Sequence, residues 1–104
     1  MALRGVAGFD WDEGNSWKNE KHGVSQVEIE QVFLHRPVFF TRDEQHSQVE
    51  DRFLALGVSD EGRLLHITFT LRNEGTKIRP ILARPMSRRE RKVYEKASEE
   101  NSQV

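Results

Sequence analysis

The chain has 104 residues, a formal net charge of −1, no cysteine, and 36% hydrophobic against 32% charged residues. That length suits a single domain able to bury roughly two-thirds of its unfolded surface, and the lack of cysteine excludes disulfides and thiolate metal sites. No apolar run approaches the roughly 18 residues needed to span a bilayer, and the N-terminus MALRGVAGFDWDEGNSW turns acidic too early for a signal peptide, so a cytoplasmic protein without membrane contact is expected.

The segment VAGFDW, with its β-branched and aromatic bias, predicts a first strand, and Asp12 can cap the polar segment EGNSWKNEKH as a short helix over 13–22. Trp17 is its apolar anchor, and Gly23 supplies a left-handed stop. Ser25 and Glu28 have the spacing of a capping box, and Val27, Ile29, Val32, Phe33 and Leu34 then give a second helix a mostly apolar face up to Pro37. Residues 38–50 read as the short apolar piece VFF followed by a polar loop.

Three strands follow, DRFLALGV, RLLHITFTLR and TKIRPILAR, separated by SDEG and NEG, whose glycines suit tight antiparallel connections. Ser87 with Glu90 starts a last helix, in which Tyr94 is available for packing. The expected fold is α+β in the order β-α-α-β-β-β-α, an antiparallel sheet packed by helices on one face and open on the other. One domain over 1–97 would leave 98–104 as a frayed tail.

The charge is unevenly spread. Residues 1–62 hold 6 Lys or Arg against 12 Asp or Glu, whereas residues 63–92 hold 9 against 2, a local net of +7. Strand alternation sorts these side chains by face. Leu65, Ile67, Phe69 and Leu71 form one face of RLLHITFTLR, with Leu64, His66, Thr68, Thr70 and Arg72 opposite. Arg79 falls beside Arg72, and Arg52 joins them with Leu54 and Leu56. Arg84 lies on the apolar side by strict parity, but a bulge at Pro80 would turn it over, so its facing stays open. Arg88, Arg89 and Arg91 border the group from the last helix. Guanidinium groups within about 8 Å repel unless anions compensate them, and phosphates fit that role because Arg binds them bidentately. A solvated basic face without function is the competing explanation.

FDWDEGN, KHGVS, EDRFLALG, TLR, KIRPILAR and SRRERKVYE, in this order from Phe9 to Glu95, together resemble the BrnT toxins of bacterial type II toxin-antitoxin systems. The resemblance implies a fold like that of the RelE-type ribonuclease toxins, cleavage of RNA with arrest of translation, and neutralisation by a small BrnA-type antitoxin. Contact with operator DNA would come only through the antitoxin complex, which represses its own operon. Matching positions are Lys21, His22 and Gly23, then Arg52, Arg72, Arg79 and Arg84, then Arg89, Glu90 and Tyr94. Pro80 and Pro85 depart from a family strand closer to IRIISAR.

On that reading neither metal nor cofactor is expected. His22, His35, His46 and His66 lie in separate segments without ligand spacing, and RNA brings its own nucleophile, the 2′-hydroxyl. Arg72 and Arg79 are assigned to phosphate and transition-state stabilisation with Arg52 in support, and Lys21, Arg84, Arg88 and Arg89 to binding the RNA backbone. His22 or His66 could move a proton. His22 could equally be a helix-end residue, and His66 reads first as a hydrogen-bonding strand residue, which leaves His22 as the candidate. The alternative function is a non-catalytic subunit whose basic face docks a protein partner or assists a DNA-bound repressor.

Overall fold

The structure, a computed structural model, describes residues 5–20, 22–46 and 50–102. Its elements run β1 (Gly8–Phe9), α1 (Glu13–Glu20), α2 (Gln26–Leu34), β2 (Phe39–Arg42), a 3-10 turn (Glu44–His46), β3 (Phe53–Val58), β4 (Leu64–Arg72), β5 (Lys77–Pro85) and α3 (Arg88–Ser102).

Each helix starts on a side chain that satisfies otherwise orphaned backbone N–H groups. At α1 the Asp12 carboxylate accepts from Gly14 N at 2.8 Å, while Asn15 Oδ1 accepts from Asp12 N at 2.8 Å. Ser25 and Glu28 form the expected capping box on α2, and Ser87 and Glu90 form the one on α3. The α2 face is narrower than its apolar count predicts. Ile29 and Val32 are fully buried, but Val27 and Leu34 are 64% and 80% exposed, because only positions near 29, 32 and 33 point at the sheet. Helix α3 continues past residue 97 to Ser102.

The five strands lie in the order β1-β5-β4-β3-β2. The meander β3-β4-β5 is antiparallel as expected, but two features depart from the predicted arrangement. Strand β2 extends the antiparallel ladder on β3, through Phe39↔Leu56 and Phe40↔Ala55, where the sequence suggested only an apolar piece before a loop. Four residues show too little alternation to be read as a strand, and the free edge of β3 supplies the pairing. Strand β1 runs parallel to β5, through Gly8↔Lys77 and Phe9↔Ile78, so the sheet is mixed.

One face of the sheet carries the main core, in which Ala55, Leu65, Ile67, Phe69, Ile78 and Ala83 pack with Val24, Ile29 and Val32. Phe69 is its centre. Its ring lies 5.1 Å from that of Phe33, 5.6 Å from Phe53 and 6.1 Å from Phe40. The second face is not open throughout, which corrects the expectation of helices on one side only. Leu54, Leu56 and Leu64 make an apolar patch there, and Met86 and Tyr94 of the α3 region cover it. The Tyr94 hydroxyl donates to Pro37 O at 2.7 Å, and its ring meets Phe39 edge-on at 5.6 Å.

Gly57 lies where Val32 of α2 presses on β3. A Cβ there would sit 2.7 Å from Val32 Cγ1 and 3.2 Å from Val38 Cγ2. Gly57→Ala is therefore expected to cost about 1–3 kcal/mol by overpacking, measured as a lower urea midpoint with an unchanged slope. A neutral substitution would mean that α2 does not press on the sheet at this point.

Candidate functional site

The β4–β5 pairing slips once, and that slip arranges the second face. Thr68 pairs with Leu82 but Phe69 pairs with Pro80, so Ile81 is an extra residue on β5. Proline has no N–H to give the ladder, which explains why the irregularity falls beside Pro80. Past the bulge the parity of β5 reverses, and Arg84 comes opposite His66 on the second face. Arg79 pairs with Thr70, and Arg72 with Lys77, on the same face. The facing of Arg84 that the sequence left open is thus decided. Thr70 and His66 are four residues apart on β4, about 13 Å, so these groups form two clusters along one face.

At the hairpin end lie Arg72, Lys77 and Arg79. Arg79 grips Asp12 through both guanidinium nitrogens, at 3.0 and 3.1 Å, and reaches Asp10 at 3.4 Å. The hydrogen bond from Arg79 is the main reason that the Asp12 carboxyl is held below its ordinary range. Asn15 adds a neutral tie between α1 and the bulge, since its side-chain amide donates to both Asp10 O and Pro80 O at 2.9 Å. Arg72 is more available. Its side chain is 44% exposed and meets one carboxylate, Glu50, at 3.2 Å. A hollow of ≈ 420 Å³ lies beside it, lined in part by Glu50, Asp51, Thr70 and Gly75. Arg52, half-buried, directly precedes β3, and its carbonyl accepts from Asp43 N at 2.8 Å.

At the other end His66, Arg84 and Glu90 converge from β4, β5 and α3. Glu90 Oε2 is 2.6 Å from His66 Nδ1, and the two Glu90 oxygens take the Arg84 fork at 2.8 and 3.1 Å. The same carboxylate accepts from Ser87 N at 2.8 Å, so the residue that caps α3 also anchors the cluster. Burial alone would raise the Glu90 pKa, yet these hydrogen bonds outweigh it and bring the group to about 2. Two groups meet Nδ1: Arg84 Nη2, a donor, at 3.1 Å and the ionised Glu90 carboxylate at 2.6 Å. The shorter, charge-assisted contact requires a proton on Nδ1, and Arg84 is satisfied by the Glu90 oxygens. Nε2 is then the accepting nitrogen, with Thr68 Oγ1 at 3.2 Å. Burial, helped by the Arg84 charge and opposed by Glu90, lowers the His66 pKa below its usual value. A groove of ≈ 370 Å³ opens in front of this ring, bounded by Thr41, Arg42, Asp43 and Leu54.

The remaining predicted residues are not gathered here. His22 lies in the exposed turn after α1, and among the described residues no hydrogen bond or ion pair links it to the arginines. Lys21 and the side chain of Trp17 fall outside the described residues. Arg88, Arg89 and Arg91 are exposed at the start of α3 and make no ion pair among the described residues. His66 is hydrogen-bonded to Glu90 and Thr68, as expected first for a strand histidine. Glu90 was expected as a capping residue and as a position matching the family, and the fold shows it bonded to Ser87 N, His66 and Arg84 at once. Among the described residues no three His, Asp or Glu side chains gather in a way that could hold a metal ion, and no helix is long and apolar enough to cross a membrane.

A family model described as "Ribonuclease toxin, BrnT, of type II toxin-antitoxin system" matches residues 11–90 of the chain. No curated protein matches it.

Proposed function

The chain belongs to the BrnT family of ribonuclease toxins of type II toxin-antitoxin systems, and from that premise we propose that it is an endoribonuclease which lays RNA across the second sheet face and cuts it without a metal. The observation that carries this is the β5 bulge, which brings Arg72, Arg79, Arg84 and His66 onto one face. RNA needs only alignment of its 2′-hydroxyl with the adjacent phosphorus and stabilisation of charge on the non-bridging oxygens. Arg72 and Arg79, supported by Arg52, supply that charge at the hairpin end. Arg84 and the exposed Arg88 and Arg89 extend the track for the backbone, and Lys21 and His22 are assigned to it as well. The internal carboxylates at Arg72 and Arg79 hold the forks in position and are exchanged in part for phosphate. Cutting RNA in the cytoplasm would arrest translation, a BrnA-type antitoxin would neutralise the protein, and operator DNA would be met only through that complex.

Incubation of the purified chain with RNA in EDTA is expected to give fragments ending in 2′,3′-cyclic phosphate and 5′-hydroxyl, and expression without a partner is expected to stop growth. A folded protein that does neither would overturn the proposal. The second reading, a binding subunit without catalysis, is favoured by one feature. Arg88, Arg89 and Arg91 oppose the dipole at the start of α3, which suits an external anionic surface. Under that reading RNA or an acidic protein would bind and the RNA would remain intact.

A further inference from the structure

We infer that His66 Nε2 is the general base that removes the 2′-hydroxyl proton of RNA, with Glu90 and Arg84 as the positioning residues that aim it into the groove beside β2. The inference rests on the ribonuclease reading and names the proton acceptor that reading lacks. It moves the scissile phosphate to the His66 end of the face, about 13 Å from the hairpin end, leaving Arg72 and Arg79 to hold neighbouring phosphates of the same strand.

Three features single out this imidazole. Its orientation is fixed from two sides, by Glu90 at Nδ1 and by Thr68 at Nε2, and Glu90 is itself held by the Arg84 fork and the Ser87 N–H. A base whose ring cannot turn presents its lone pair at one place, the geometric requirement for proton transfer. Second, the lone pair of the accepting nitrogen already receives a hydroxyl, that of Thr68 at 3.2 Å, which the ribose hydroxyl displaces, and it does so at a groove whose ≈ 370 Å³ lies within the ~300–1,000 Å³ typical of ligand clefts. Leu54 offers the ribose an apolar wall, and Arg42, 43% exposed and paired with Glu44 and Asp51, is a cation of the groove lining that can exchange a carboxylate for the phosphate.

Third, the charges around the ring leave it neutral and ready to accept. Glu90 from α3 and Asp43 from the end of β2 favour the imidazolium, whereas burial and Arg84 from β5 disfavour it and prevail. Arg42 and Glu44 complete the charged lining of the groove. Glu90 cannot take the role itself, since both of its oxygens are engaged and its pKa lies at about 2. In the step, the proton on O2′ passes to His66 Nε2, O2′ bonds to phosphorus, the P–O5′ bond breaks, and O5′ takes a proton from water. The products are a 2′,3′-cyclic phosphate and a 5′-hydroxyl, and the imidazolium returns its proton to solvent.

The test compares wild type, His66→Gln and His66→Ala on a single-stranded RNA, with circular dichroism to confirm folding. Both variants are expected to lose at least ~10²-fold in cleavage rate at neutral pH while RNA affinity stays within about threefold. Wild-type cleavage should fall off as the pH drops through the lowered pKa of His66, more acidic than that of an ordinary imidazole, and the variants should lack that limb. Glu90→Gln should move the limb to lower pH, because loss of the carboxylate makes the imidazolium still less favourable; a purely structural role would leave the profile in place. Should Glu90→Gln fail to fold, proton NMR titration of His66 in the wild type replaces it, with a midpoint expected to match the kinetic limb. A cutting wild type with an equally active His66→Gln would overturn this assignment alone. A wild type that cuts no RNA would remove the ribonuclease reading and this inference together.

Discussion

Phe69→Ala is expected to destabilise the protein by about 3–5 kcal/mol, a large share of the ~5–15 kcal/mol available to a domain of this size. The side chain is fully buried on the central strand and touches rings from α2, β2 and β3, so truncation empties a space that four elements share. Relaxation cannot fill it easily, because the neighbouring Leu65, Ile67 and Ile78 are themselves fully or almost fully buried. At roughly 4–8 °C per kcal/mol for small domains, the melting temperature should fall by at least ~12 °C. Val93→Ala is the control, since Val93 is 55% exposed and its truncation should change stability by less than about 0.5 kcal/mol. Equal effects at the two sites would mean that Phe69 is not the centre of the core.

The second large effect is on activity. Arg72→Ala is expected to lower RNA cleavage by about 10²-fold with little loss of stability. Arg72 lies at the end of β4 directly opposite Lys77, an arrangement of like charges that disfavours the ladder unless an anion bridges it. Glu50 supplies one carboxylate contact at 3.2 Å, a weaker hold than the bidentate grip of Asp12 on Arg79. Exposed pairs of this kind contribute about 0–1 kcal/mol, so a phosphate can take the place of Glu50 at small cost. Arg72→Lys should fall between wild type and Ala, because it keeps the charge but loses the planar fork. Glu50→Gln should tighten RNA binding. If Arg72→Ala cuts RNA at the wild-type rate, the hairpin end is not the phosphate site. Arg79 is the less informative position, since its removal would also strip Asp10 and Asp12 of their partner and loosen the start of α1.

The comparison of sequence with structure turns on the distance over which each feature is set. The capping residues Asp12, Ser25 and Ser87 act within three residues of themselves, and the alternation of β4 is written in nine consecutive positions, so both were legible. The family motifs were legible for the same reason, as short fixed spacings. Strand β2 was not, because it owes its existence to the free edge of β3 rather than to its own four residues.

What the sequence determined by itself is the set of helix starts, the three-strand meander, the concentration of arginine in its second half, and family membership. What only the tertiary structure decided is how those arginines are used. The bulge beside Pro80 turned Arg84 toward His66, the α3 region covered the Leu54, Leu56 and Leu64 patch of the face expected to be open, and Arg79 found Asp12, 67 residues away, as its partner. Local backbone preference is encoded where it acts, but a charge finds its counter-ion only after the chain has folded. The partner is therefore absent from any window in which the charge itself can be read.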